Sequence, residues 1–184
     1  MLRWPIREDV EMRLPEERYA DEMLEAVNRN RERLEQWLHW AHSTNTREDI
    51  LAFVRMARND FQKPDALHLL IFHKGKIAGG CGLLLNERSN LGEIGYWIDA
   101  GLEGKGLVSD CCRSLIGYAF RELNLNRVQI RCAPGNARSA SVAKGLGFTY
   151  EGTRRQTLRT NDRLDDEECY GLLRTEWEGG RRTG

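Results

Sequence analysis

The hydrophobic positions of this chain change period several times, and each change marks an element. Val10, Met12 and Leu14 alternate with polar or charged neighbours, a period of two that predicts a strand, and Pro15 stops it. From Glu16 to about Asn30 helix formers dominate, with Tyr19, Met23, Ala26 and Val27 on one stripe. Leu34, Trp37, Leu38 and Ala41 carry helical spacing onward and predict a second helix. Thr46 to Phe61 predicts a third. Thr46 serves as N-cap, Glu48 and Asp49 face the positive end of the helix dipole, and Ile50, Phe53, Val54 and Ala57 form the apolar face. Lys63-Pro64-Asp65 breaks the pattern.

The period then returns to two. Leu67 to His73 and Lys76 to Leu85 flank a hairpin signal at Lys74-Gly75, and Gly92 to Asp99 follows a polar turn at 86–90, so three strands meander antiparallel. Leu107 to about Leu123 is helical again, with Leu107, Cys111, Leu115, Ala119 and Leu123 near one face. Asn124-Leu125-Asn126 ends it, and Val128, Ile130 and Cys132 alternate as the next strand. That strand–helix–strand order predicts a parallel pair with a right-handed crossover. Asn136 caps a short helix that stops at Gly147. Phe148 to Arg159 predicts a strand, Asn161-Asp162 a turn and Cys169 to Trp177 a last strand, with a frayed tail after it.

At 184 residues with 40% apolar content, the chain fits a single domain spanning 1–184, core about 8–177. Lys+Arg and Asp+Glu balance at 28 each, which argues against nucleic-acid binding by bulk charge. The N-terminus lacks a signal-peptide core and no run is apolar enough to span a membrane, so a cytoplasmic, membrane-free protein is expected. The five cysteines sit mostly in apolar runs with no C-x-x-C pair, which predicts reduced core thiols and no metal.

The candidate chemistry lies in AGLEGKGLVSD, residues 100–110, between an aromatic strand and a helix. The glycine spacing, Gly101-x-x-Gly104-x-Gly106, reverses the dinucleotide fingerprint. Lys105 is followed by Gly106, so the hydroxyl of a nucleotide-triphosphate loop is missing. What remains is a helix N-terminus that offers N–H groups to an anion such as a pyrophosphate, or else a ligand-free tight turn.

This loop, together with IGYWID before it and NRVQIRCAPGNARSASVAKGLGFTYEG after it, resembles the GNAT superfamily of N-acetyltransferases. Asn136, Ser139, Gly147-Phe148 and Glu151-Gly152 resemble its RimJ/RimL branch, the ribosomal-protein N-terminal acetyltransferases, as does Leu34-x-x-Trp37-Leu38-x-Trp40. The resemblance implies an α/β fold, a mixed and mostly antiparallel sheet with helices on both faces, and acetyl-CoA as co-substrate. It assigns the pyrophosphate to Glu103, Gly104, Lys105, Gly106, Leu107 and Val108, although Glu103 stands where the family has Arg or Gln and Val108 where it has Gly or Ala. It assigns the pantetheine arm to the backbone of Tyr96, Trp97 and Ile98 and to Asn136. The family's helix Tyr is Ala143 here, and the RimL-type acid maps to Ser139. The RimL-type base position is Leu158, which leaves Glu93 as the candidate base: it shares a strand face with Gly95, Trp97 and Asp99. Trp37 and Trp40, three apart, are either core or a wall of the acceptor pocket. The implied acceptor is a protein N-terminal α-amine. A polyamine, amino acid or drug amine, and a non-catalytic acyl-CoA-binding role, stay open beside it. A homodimer is common in this branch.

Overall fold

A computed structural model describes residues 3–63, 65–160 and 163–181. Eight strands form one sheet: β1 (Arg3–Arg7), β2 (Val10–Arg13), β3 (Ala66–His73), β4 (Lys76–Asn86), β5 (Leu91–Ile98), β6 (Arg127–Cys132), β7 (Thr149–Thr160) and β8 (Arg163–Leu173). Their spatial order is β1-β2-β3-β4-β5-β6-β8-β7, and every neighbouring pair is antiparallel except β5–β6. Among the described residues six α-helices accompany it: α1 (Ala20–Glu35), α2 (Trp40–Ser43), α3 (Arg47–Gln62), α4 (Leu107–Arg121), α5 (Ala137–Gly145) and α6 (Arg174–Arg181).

Alternation along each strand divides the core between the two faces. On β3, Leu70 and Phe72 pack against Ala20, Met23, Ile50 and Val54 of α1 and α3. Leu67, Leu69 and Ile71 face the other way, onto Leu115, Ile116, Ala119 and Phe120 of α4. The mixed α/β architecture with helices on both faces is therefore as the resemblance implies. The β3–β4 hairpin turns through Lys74 (φ 51°) and Gly75 (φ 78°), the two left-handed residues that a two-residue turn needs. Thr46 caps α3 through a reciprocal box with Asp49. Four of the five cysteines are buried and all are free thiols.

Three elements differ from the pattern's prediction. The second helix is absent as such: α1 runs on to Glu35, Trp37 and Leu38 lie in the turn after it, and α2 starts only at Trp40. An additional edge strand, β1, precedes the first expected one; Pro5 and its charged neighbours hide it, because an edge strand tolerates a missing donor. The last strand begins at Arg163, earlier than Cys169, and ends at Leu173, after which Trp177 sits on α6 and packs against Phe120. The Asn161-Asp162 turn, the Pro64 break and the tail beyond 181 lie outside the described residues. No helix among the described residues is long and apolar enough to cross a membrane.

Candidate active site

The site begins where two parallel strands part. β5 and β6 pair at Leu91–Arg127, Gly92–Val128 and Glu93–Gln129, and no further. Beyond that fork β5 continues to Ile98, bonded on its other side to β4, so its edge toward β6 is open. Unpaired strand groups must find partners, which an extended amide-bearing ligand laid in the fork would supply.

At the far end of β5 the chain enters the glycine loop. Gly104 (φ 72°) and Gly106 (φ 76°) hold left-handed conformations, and a Cβ on either would meet nothing within 4 Å. Gly106 is the N-cap of α4 and offers no side chain, so the first N–H groups of the helix carry no side-chain cap. Loop and helix end thus fit the pyrophosphate that the resemblance assigns to 103–108. Lys105 is exposed beside them.

Glu103, the acidic residue in a loop meant for an anion, is neutralised from two sides. Arg33 of α1 donates to its Oε1 at 2.7 Å, and Arg138 of α5 pairs with its Oε2. Arg33 also donates to the Ile98 carbonyl, which takes that acceptor away from the pantetheine contact expected of Ile98. The sequence pattern missed the residue that organises this corner. Asn30 on α1 is only 4% exposed. Its Nδ2 donates to the Ala26 carbonyl (2.8 Å) and to Asp99 Oδ2 (3.1 Å), while its Oδ1 accepts from the Ala100 N–H (2.9 Å) and from Arg33 (3.1 Å). Burial opposes the charge on Asp99. Hydrogen bonds from Asn30, the Gly101 N–H and Arg29 outweigh that and hold its carboxyl below the usual carboxylate range. A polar residue inside an otherwise apolar helical stripe was the available signal.

The opposite side of the fork carries a different surface. On the face covered by α1 and α3 lies an apolar cavity of about 380 Å³, walled by Met23, Val27, Leu38, Trp40, Phe53 and Met56. Its floor includes Gly80, over which the Trp97 indole lies, Gly82, and Gly95, where a Cβ would meet nothing within 4 Å; Glu93, Tyr96 and Trp97 edge it at the fork. Trp40 and Trp97 meet with their rings tilted 57° to each other and centroids 6.1 Å apart. Trp37 does not join them: it lines a second cavity of about 430 Å³ with Gly135, Gln156, Leu164 and Asp165. The two tryptophans therefore sit at different cavities, because the helix that would align them ends before Trp37.

Glu93 lies at the fork but not on a free strand face. Gln129 Nε2 (2.9 Å) and Arg131 Nε (2.7 Å) donate to its Oε2, and Arg131 Nη2 (2.9 Å) to its Oε1. Arg131 continues to Glu167 of β8, 3% exposed, which also accepts from Arg154 and Thr157. This row of charges crosses the sheet beside the apolar cavity. On the other face, the Tyr96 hydroxyl lies 2.8 Å from the Ser139 hydroxyl and 3.2 Å from its carbonyl. Burial pushes the Tyr96 phenol far above its ordinary value, so it stays protonated. Asn136 caps α5 by accepting from the Ser139 N–H, at 3.1 Å.

Comparison with known proteins gives consistent matches. The family model described as an acetyltransferase (GNAT) domain matches residues 9–149. The chain is similar to "Putative ribosomal N-acetyltransferase YdaF" of Bacillus subtilis (strain 168), 36% identical over 95% of this chain and 96% of that one. It is similar to the ribosomal-protein-serine acetyltransferase of Escherichia coli (strain K12), 28% identical over 91% and 94% of the two chains. Among solved structures it is similar to RimL, a ribosomal L7/L12 α-N-protein acetyltransferase in complex with coenzyme A. That likeness has a TM-score of 0.89 and 25% identity, and covers 94% and 98% of the two chains.

Proposed function

Since the chain belongs to the GNAT acetyltransferase family and is an N-acetyltransferase, we propose that it moves an acetyl group from acetyl-CoA to the α-amine at a protein N-terminus. The observation that carries this is the β5–β6 fork, which opens at one end onto an uncapped helix N-terminus and at the other onto a separate cavity. One ligand reaches the fork from each face of the sheet.

Acetyl-CoA bound there supplies an activated acyl thioester; the rest is done by the chain. The N–H groups at 104–108 hold the pyrophosphate, with Glu103 kept off it by Arg33 and Arg138. The open edge of β5 at Tyr96 aligns the pantetheine arm and turns an N–H toward the thioester oxygen, where charge develops, while the backbone groups of Trp97 face Gly80 of β4. Asn136 uses its side-chain oxygen to cap α5, which leaves its amide nitrogen for the arm. An α-amine with a pKa near 8 is already partly neutral at physiological pH, so orientation supplies much of the acceleration. Glu93 orients and deprotonates it: with Oε1 accepting a single bond, one lone pair stays free. Ser139 passes its proton to the departing thiolate as it takes the Tyr96 proton in turn, and Tyr96 recovers a proton from solvent before the next turnover.

The test is coenzyme A thiol release with ribosomal-type N-terminal peptides against a panel of polyamines, amino acids and drug amines. Turnover of peptides above small amines is the expected result. Turnover confined to small amines would move the acceptor to that class.

A further inference from the structure

Resting on that reading, we infer that the acceptor α-amine belongs to a first residue with a large apolar side chain, such as Leu, Met or Phe. The 380 Å³ cavity meets the fork at Glu93 and Tyr96, so a side chain that branches from the reacting amine's own carbon points into it. Its walls are Met, Val, Leu, Phe and Trp side chains. Two of the polar groups within its lining already spend their hydrogen-bonding groups on the protein. The Thr44 hydroxyl donates to the Trp40 carbonyl at 2.9 Å, and His68 Nε2 bonds Asp60 at 3.1 Å. Against walls that are mostly Met, Val, Leu, Phe and Trp, a serine hydroxymethyl group would lose water it can only partly replace, whereas an apolar chain gives up nothing.

Charge placement agrees with this orientation. Glu93 is the carboxylate at the cavity's edge, and its free lone pair matches an ammonium or amine at the fork. The mouth of the cavity is ringed by Trp40, Met56 and Leu84, which are 37%, 46% and 48% exposed. An exposed apolar rim continuous with an apolar interior marks the approach of an apolar group. The volume also argues against a small first residue. A methyl or hydroxymethyl group would leave most of the cavity empty, and empty apolar space contributes no dispersion contacts.

The experiment is a set of peptides that differ only at residue 1 (Ser, Ala, Met, Leu, Phe), with kcat/KM read from coenzyme A thiol release by the full chain. The Leu- and Phe-first peptides are expected to exceed the Ser-first peptide by roughly tenfold or more. Equal or better turnover of Ser- or Ala-first peptides overturns the inference and leaves the N-terminal acetylation reading standing; no turnover of any peptide overturns both. Gly95→Val provides a second reading. A Cβ at Gly95 meets nothing within 4 Å and a branched residue suits a strand, so the variant narrows the cavity at its floor. The Phe-to-Ala ratio is expected to fall at least fivefold, and an unchanged ratio would place the side chain elsewhere.

Discussion

Asn30→Ala tests whether the coenzyme corner is built from α1. The substitution removes the bond to Asp99, the bond from the Ala100 N–H and the bond from Arg33, together with one bond back to the Ala26 carbonyl. Two of these involve a charged partner and are worth about 1.5–3 kcal/mol each when dry; a neutral one is worth about 1 kcal/mol. Ala100 is exposed and Arg33 half-buried, so water replaces part of what is lost. Alanine is also the better helix former by up to about 0.7 kcal/mol. The balance is a loss of about 2–3 kcal/mol, which for a chain of this length lowers Tm by about 5–10 °C. Coenzyme A affinity, measured by calorimetry, should weaken at least fivefold, because the loop must then be ordered at the expense of binding. Asn59→Ala on the exposed face of α3 is the control and should stay within about 0.5 kcal/mol of wild type. If Asn30→Ala costs less than 1 kcal/mol and binds coenzyme A as tightly as wild type, α1 does not organise the loop.

Three further outcomes follow from the same geometry. Gly106→Ala forces a Cβ into a left-handed position at a cost of about 1–2 kcal/mol and places a methyl where the anion is expected, so coenzyme A affinity should fall at least tenfold in a binding titration. Tyr96→Phe should lower kcat by roughly a hundredfold with little change in KM, in steady-state kinetics across pH; retention of kcat would remove Tyr96 from the proton route. Glu11, held by Arg3 and Arg13, has its carboxyl depressed to about 2. A depressed carboxylate stabilises the fold above its unfolded value and loses that contribution as pH falls, so denaturation midpoints should drop from the ordinary carboxylate range down to about pH 2, and Glu11→Gln should flatten that slope.

What was legible in the sequence was whatever depends on neighbours in the chain. The Thr46 cap, the Lys74-Gly75 turn, the Asn136 cap and the stripe of α4 all act within a few residues, and local rules describe them. The resemblance to a known family carried the glycine loop, whose spacing alone was ambiguous. What escaped acts at a distance. Glu103 meets Arg33 and Glu93 meets Arg131 across 70 and 38 positions, and no spacing rule joins such residues. The end of α1 escaped for another reason: Gln36 carries no glycine or proline to announce it, so helical spacing ran on through Trp37 in the sequence while the backbone turned. The charged first half of β8 escaped because that strand pairs near the sheet's edge, where solvent exposure erases alternation.

One helix, α1, touches both ligand regions. Met23 and Val27 line the apolar cavity, and Asn30 and Arg33, one and two turns further on, grip the loop at the other end of β5. A rigid rod that contacts two sites makes them communicate. Any preference that one occupant has for a particular seat of the rod is felt by the other, and the exchange is symmetrical: the factor by which the acceptor tightens the coenzyme is the factor by which the coenzyme tightens the acceptor. Order of addition at this fork is then a property of one helix rather than of two independent pockets.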